Sequence, residues 1–252
     1  MRKSLLALTV MLFCSVHAFT QLNMQYNFAR PIGTQGENIN QMHGLALGWE
    51  IKLKNSPFVV VPEMAFNLYG LKTLEQELPF HNGYVTRTDV NYTTSMNSYS
   101  VALKFQPPTK NNFQPFMAIR AGGLHYHSNM TIEDPEDPMG CRALEKKALV
   151  KDFTWMASGG VGFRLDGKAF SGRDSKVAID FSAFYTHGGE AQYLKMSKGH
   201  DHSAGNPKSN QYYVKFEHIP SGEVHEHAIG TVYNTATRLL EFRLGVHIKL
   251  CN

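Results

Sequence analysis

From Leu240 to Leu250 the chain alternates without a slip. Leu240, Phe242, Leu244, Val246, Ile248 and Leu250 are apolar, while Glu241, Arg243, Gly245, His247 and Lys249 between them are polar or minimal. A period of two places the two sets on opposite faces of one β-strand. A strand of this kind divides an apolar medium from a polar one, and only a sheet with two unlike faces can use it.

The other end of the chain reads as an export address. Arg2 and Lys3 precede a short apolar stretch at 5–13 and the small-residue cleavage site Val16-His17-Ala18, so residues 1–18 are expected to be a signal peptide. The apolar stretch falls short of the roughly 20 residues that a membrane-spanning helix needs. Cys14 follows the bulky Phe13, which argues against a lipoprotein signal. Removing Arg2 and Lys3 from the 25 basic residues leaves 23 against 21 acidic ones, a balance that excludes nucleic acid as a partner. No cofactor is implied.

Strand-like runs with Gly, Pro, Asn and Ser clusters between them recur at 22–31, 44–54, 58–69, 96–106, 113–126, 152–166, 176–187 and 238–250. The connections 55–57, 107–112 and 167–175 are short, whereas 32–43, 70–95, 127–151 and 188–237 are long, and the two kinds alternate. That order predicts an all-β, eight-stranded antiparallel up-and-down transmembrane β-barrel over 19–252, with long extracellular loops and both termini periplasmic. Side-chain size decides which face looks outward. One face carries Leu45, Leu47, Trp49, Phe163, Phe181 and their like, and the other Gly44, Ala46, Gly48, Ser98, Ser100 and Gly160. Eight strands leave an interior barely wide enough for side chains, so the small and polar face must be the inner one. Pro62 and Pro115 each remove a ladder donor, and bulges or strand ends are expected there.

The signal segment, the eight strands, the stretch 116–126 and the last strand Leu239-Leu240-Glu241-Phe242-Arg243-Leu244-Gly245-Val246 resemble the outer-membrane β-barrel domain family of Bacteroidota. In architecture these are small barrels of the OmpA and OmpX type. The resemblance implies residence in the bacterial outer membrane, contact with its lipid and lipopolysaccharide, and insertion by the outer-membrane assembly machinery. Such barrels usually finish on an aromatic residue; this chain finishes Leu250-Cys251-Asn252. No peptidoglycan-anchoring domain is expected after the last strand. Cys141, in a long loop, and Cys251 fall at opposite ends of such a barrel and are expected to stay unpaired.

Charged residues that alternation points inward include Glu50, Glu63, Lys104, Arg120, Arg164, Asp180, Glu241 and Arg243, with Lys52 and Lys249. Acids and bases packed in a narrow lumen can satisfy one another, which predicts an ionic plug with Glu50, Glu63, Arg120, Asp180 and Arg243 nearest its middle. His200-Asp201-His202 and His225-Glu226-His227 have metal-binding residue types but match no zinc spacing, and no metal site is assigned. His125-Tyr126-His127-Ser128-Asn129 resembles the signature of PagL-type lipid A deacylases, but adjacent His127 and Ser128 fall on opposite strand faces. Gly159-Gly160-Val161-Gly162 reads as strand rather than phosphate loop, and Trp49, Tyr69, Tyr99, Phe113, Trp155 and Tyr185 suit interfacial girdles. The favoured expectation is a non-catalytic outer-membrane protein with a plugged lumen, serving envelope structure or surface contact with an extracellular ligand through its loops. The alternatives are a narrow porin or transporter of small apolar compounds, and a lipid A-modifying hydrolase.

Overall fold

The computed structural model describes residues 20–79, 85–109, 111–134, 137, 143–171, 175–197, 210–218 and 223–249. The signal segment, all three cysteines, Leu250 and the His200-Asp201-His202 string lie outside these residues.

The strands are β1 (Thr20–Pro31), β2 (Met42–Lys52), β3 (Phe58–Pro79), β4 (Val85–Phe105), β5 (Phe113–Glu133), β6 (Ala143–Asp166), β7 (Val177–Met196), β8 (Gln211–His218) and β9 (Glu223–Lys249). Two short helices, α1 (Thr34–Asn38) and α2 (Lys168–Ser171), sit in connections. All pairings are antiparallel, and eight strands close a ring in the order β1 to β7 and then β9, which pairs back on β1 from Gln21↔Lys249 to Pro31↔Leu239. Closure removes the edges that an open sheet would present to lipid. β8 is a ninth strand that, among the described residues, pairs with the far part of β9 alone.

Along the half of the barrel bearing the short connections, large apolar side chains cover the outside. Leu45, Trp49, Met117, Ile119, Phe181, Phe242 and Leu244 are exposed there, while Asp180 and Arg243 are buried inside at 0% and 1% exposure. The outward apolar run of β9, from Leu240 to Ile248, is nine residues long by chain position, the span of a transmembrane strand. The architecture is that of a transmembrane β-barrel.

Six strands run well past the ends that alternation suggested: β3 to Pro79, β4 from Val85, β5 to Glu133, β6 from Ala143, β7 to Met196 and β9 from Glu223. Much of what reads as long loop is therefore strand. In this outer extension the faces exchange roles. Going outward along β4, the outward face changes from Leu103, Val101 and Tyr99 to Asn97, Ser95 and Thr93, and the inward face from Ser100 and Ser98 to Met96, Tyr92 and Val90. Water outside the extension rewards polar groups there, and its interior becomes an ordinary apolar core of Leu74, Val90, Tyr92, Met130, Leu194 and Ile229.

Bulges mark the change of medium on two strands. Between Leu68 and Gly70 on β3, and between His187 and Glu190 on β7, one extra residue shifts the register. A one-residue shift exchanges the faces of all that follows. Buried positions on β3 accordingly pass from odd numbers such as Val59 and Ala65 to Leu74. Tyr69 lies at the bulge and packs edge-on against Tyr126, 6.5 Å between ring centres, so it is partly buried and no part of an outer girdle.

Pro62 disturbs the ladder less than expected. Pro62 keeps its partner Val101 on β4, and only the β2 side lacks pairs between Gly48↔Glu63 and Ile51↔Val60, with no change of register. Pro115 pairs with Phe163 and lies beyond Met117, the last β5 residue paired with β4, so it sits near a strand end, as expected.

Leu244→Arg, on the lipid-facing wall, should cost about 2–4 kcal/mol. Thr93→Arg, on the outward face of the extension, should stay within about 0.5 kcal/mol. Urea unfolding of the barrel in lipid vesicles checks both.

Candidate functional site

The interior of the membrane half is filled by two ionic layers. In the layer nearer the short connections, Glu50 accepts hydrogen bonds from Lys104 Nζ at 2.8 Å and Arg164 Nη2 at 2.8 Å, and His247 Nε2 lies 3.1 Å from its other oxygen. Arg164 also donates from Nε and Nη2 to Asp180, both at 2.6 Å, and Asn23 donates to the same carboxylate at 3.3 Å. The second layer joins Arg120 to Glu63 at 3.0 Å and to Glu241 at 2.9 Å, and Arg243 to Glu63 at 2.7 Å and to Glu241 at 2.8 Å. Ser158 and Thr186 accept further bonds from Arg120, and the Thr186 hydroxyl also reaches Glu241.

Each layer sets two carboxylates against two basic side chains, with His247 as an additional member of the first. Such balance is what permits burial, because removing one partner strands the others without water. Of the residues that alternation points inward, Glu50, Lys104, Arg164 and Asp180 meet in one layer and Glu63, Arg120, Glu241 and Arg243 in the other. The expected middle group is thus divided, with Glu50 and Asp180 lying apart from Glu63, Arg120 and Arg243. Sequence reasoning passed over His247, although it sits on the polar face of the last strand. The side chain of Lys249 lies outside the described residues.

Two inward aromatics were also missed. Phe116 lies under Lys104, with Nζ 3.7 Å from the ring centre, and Phe184 lies under Arg120, with Cζ at 4.0 Å. The Gly159-Gly160-Val161-Gly162 string makes room for them. A Cβ on Gly160 would collide with the Phe184 ring, and one on Gly162 would collide with Phe116. In sequence, the glycines opposite bulky β5 and β7 residues were the available signal.

Above the ionic layers the barrel is capped. Ala29, Met42, Met96, Leu124, Tyr126, Met156, Tyr193 and Leu239 form an apolar layer into which the connection between β1 and β2 inserts Ile39. Gln35 of α1 donates to the Tyr126 hydroxyl at 2.7 Å, and Asn38 donates to the Tyr193 hydroxyl at 3.1 Å. Burial pushes the Tyr126 phenol up to about 12, so it remains a neutral hydrogen-bonding group.

Because β1 and β2 end below the extension, its wall has a gap. A cavity of about 970 Å³ lies there, floored by Asn38 to Gln41 and walled by Tyr69 to Leu74 on one side and Lys195, Met196, Thr231 and Tyr233 on the other. His127 and Ser128 are brought to no common site: the Ser128 side chain is buried inside, whereas His127 lies on the outer face beside His125, ring centres 5.4 Å apart. The side chains of His225 and Glu226 lie outside the described residues.

No protein-family model and no curated protein matches the chain. Among solved structures it is similar to Neisserial surface protein A, at 10% identity and TM-score 0.39 over 92% of this chain and 97% of that one. Ail of Yersinia pestis follows at 11% identity and TM-score 0.38, covering 92% and 97%. A major outer membrane protein from Thermus thermophilus has 13% identity and TM-score 0.39, covering 92% and 99%. At these identities and scores no role transfers from them.

Arg243→Met should destabilise the barrel by about 3–5 kcal/mol, because Glu63 and Glu241 lose a buried cation. Adding Glu63→Met restores neutrality to the layer and should recover most of the loss. Urea titration followed by fluorescence of Trp49 and Trp155 measures the pair.

Proposed function

We propose that this chain is a non-catalytic, non-conducting integral outer-membrane protein that holds a rigid outer extension at the cell surface for contact with external molecules. The observation that carries the proposal is the filling of the interior: two neutral ionic layers beneath an apolar cap closed by Ile39 and α1. The continuous apolar exterior supports membrane residence, and the signal-like segment with the order of short and long connections supports the outer membrane with periplasmic termini. The extension, not the lumen, offers surface. Its paired strands and separate core make it stiff, and a rigid scaffold is what positions recognition groups.

A second reading, lateral passage of a small compound, draws support from the 970 Å³ cavity in the extension wall. That cavity lies beyond the ionic layers, so passage along the axis would still need two buried networks to part. The hydrolase reading loses its nucleophile, because Ser128 and His127 face opposite sides of the wall.

In planar bilayers the purified protein should give no discrete openings. Openings that disappear in Arg120→Ala or Arg243→Ala would show a conducting lumen and defeat the closed reading. Fractionation with heat-modifiable migration on a gel tests the membrane barrel, and an unchanged lipid A mass profile on overexpression tests the absence of acyl hydrolysis.

A further inference from the structure

The wall cavity of about 970 Å³ has a neighbour of about 400 Å³, and Tyr233 lines both. Its ring stacks on Tyr193 with 6.1 Å between ring centres. The Tyr193 hydroxyl accepts a hydrogen bond from Asn38 at 3.1 Å and meets the Thr235 hydroxyl at 3.2 Å. Tyr233 is thus backed by a ring that is itself held in place. A tyrosine so placed offers a wide contact area at little cost in side-chain freedom.

Carboxamides surround this ring. Asn40 and Gln41 line the larger hollow, Gln192 and Asn234 the smaller. All four residues are exposed, and their side chains bond to nothing among the described residues. A carboxamide presents both donors and acceptors, which is what a row of sugar hydroxyls requires. Neither hollow has a carboxylate in its lining, and the charged residues of the larger one are Lys72 and Lys195. Lys195 Nζ lies 5.9 Å from the Tyr233 ring centre and donates to the backbone carbonyl of Glu37 at 3.3 Å, a neutral acceptor. A carboxylate makes a stronger bond to an ammonium than a carbonyl does.

We infer that the two hollows form one site for a saccharide chain bearing a carboxylate, with the C–H face of a sugar ring against Tyr233, hydroxyls on the surrounding amides and the carboxylate at Lys195. An apolar compound would take the amides out of water without giving them partners, at a cost for each. Two lysines among neutral amides suit sparse carboxylates rather than dense sulfation. The inference rests on the reading of surface contact and names what is contacted, and its test separates the two. Purified full-length protein in nanodiscs is applied to an array of glycans bearing uronate, sialate, sulfate or no charge. The affinity of the best-retained glycan is then measured by calorimetry, with polyglutamate as competitor.

Uronate or sialate glycans should be retained over sulfated and uncharged ones, and polyglutamate should not displace them. Lys195→Gln should weaken binding about tenfold, from the loss of a charged hydrogen bond. Tyr233→Ala should abolish calorimetric binding and Tyr233→Phe should keep most of it. Asn40→Ala with Gln41→Ala removes exposed groups to which the fold is not bonded, and should weaken binding about fivefold with heat-modifiable migration unchanged. No retained glycan, equal retention of uncharged glycans, preference for sulfated ones, displacement by polyglutamate, or indifference to Lys195→Gln in a folded barrel would each overturn the site alone. Failure of the native chain to fractionate with outer membranes would overturn the reading beneath it.

Discussion

A ring of eight strands leaves so little room along its axis that every inward side chain must find its partner among the others. In the membrane half that condition is met by charge: Glu50 and Asp180 against Lys104 and Arg164, then Glu63 and Glu241 against Arg120 and Arg243. Ionic filling of this kind adds little net stability over a hydrophobic filling of equal shape, since desolvation consumes most of the attraction. Its value here lies in polarity. An apolar interior beside an apolar exterior would leave the strands no reason to choose which face meets lipid, whereas buried ion pairs fix the choice.

The extension solves the opposite problem with the same strands. Outside the bilayer the surrounding medium is water, and Val90, Tyr92, Met130 and Ile229 turn inward where Ser98, Ser100 and Arg120 do lower down. The bulges at Leu68/Gly70 and His187/Glu190 let β3 and β7 make the exchange without breaking the ladder. β4 makes it with no extra residue of its own, by changing residue types along a register with β5 that does not shift. Two cores of opposite character thus share continuous backbone hydrogen bonding.

The sequence made the membrane half legible because its outward face is bulky and its inward face small or charged, so alternation and volume agree. The eight charged residues of the lumen were readable from parity alone, although parity gives no height, and the division into two layers was hidden. The extension was hidden for another reason. Val90 and Tyr92 alternate with Asp89, Asn91 and Thr93 as plainly as the last strand does, but polar-out strands rich in Thr and Asn look like loop when lipid-facing bulk is the sign sought. Tyr69 was misplaced because a bulge has no sequence mark stronger than the Gly70 beside it. Phe116 and Phe184 were missed because bulk was read as lipid-facing, whereas Gly160 and Gly162 opposite them give it room inside.

The inserted connection between β1 and β2 shows how closure and surface are linked. Gln35 and Asn38 hold α1 to Tyr126 and Tyr193, whose rings belong to the cap, and Gln35 Oε1 also accepts the backbone N–H of Arg238 at 3.4 Å. The segment that stops the mouth is also the floor of the wall cavity. Displacing it would uncover the apolar cap and reshape that cavity together, yet the charged layers beneath would remain paired. Closure of the mouth and filling of the membrane half therefore rest on separate sets of contacts in one ring, the first on hydrogen bonds from α1 to Tyr126 and Tyr193 and the second on the two charged layers.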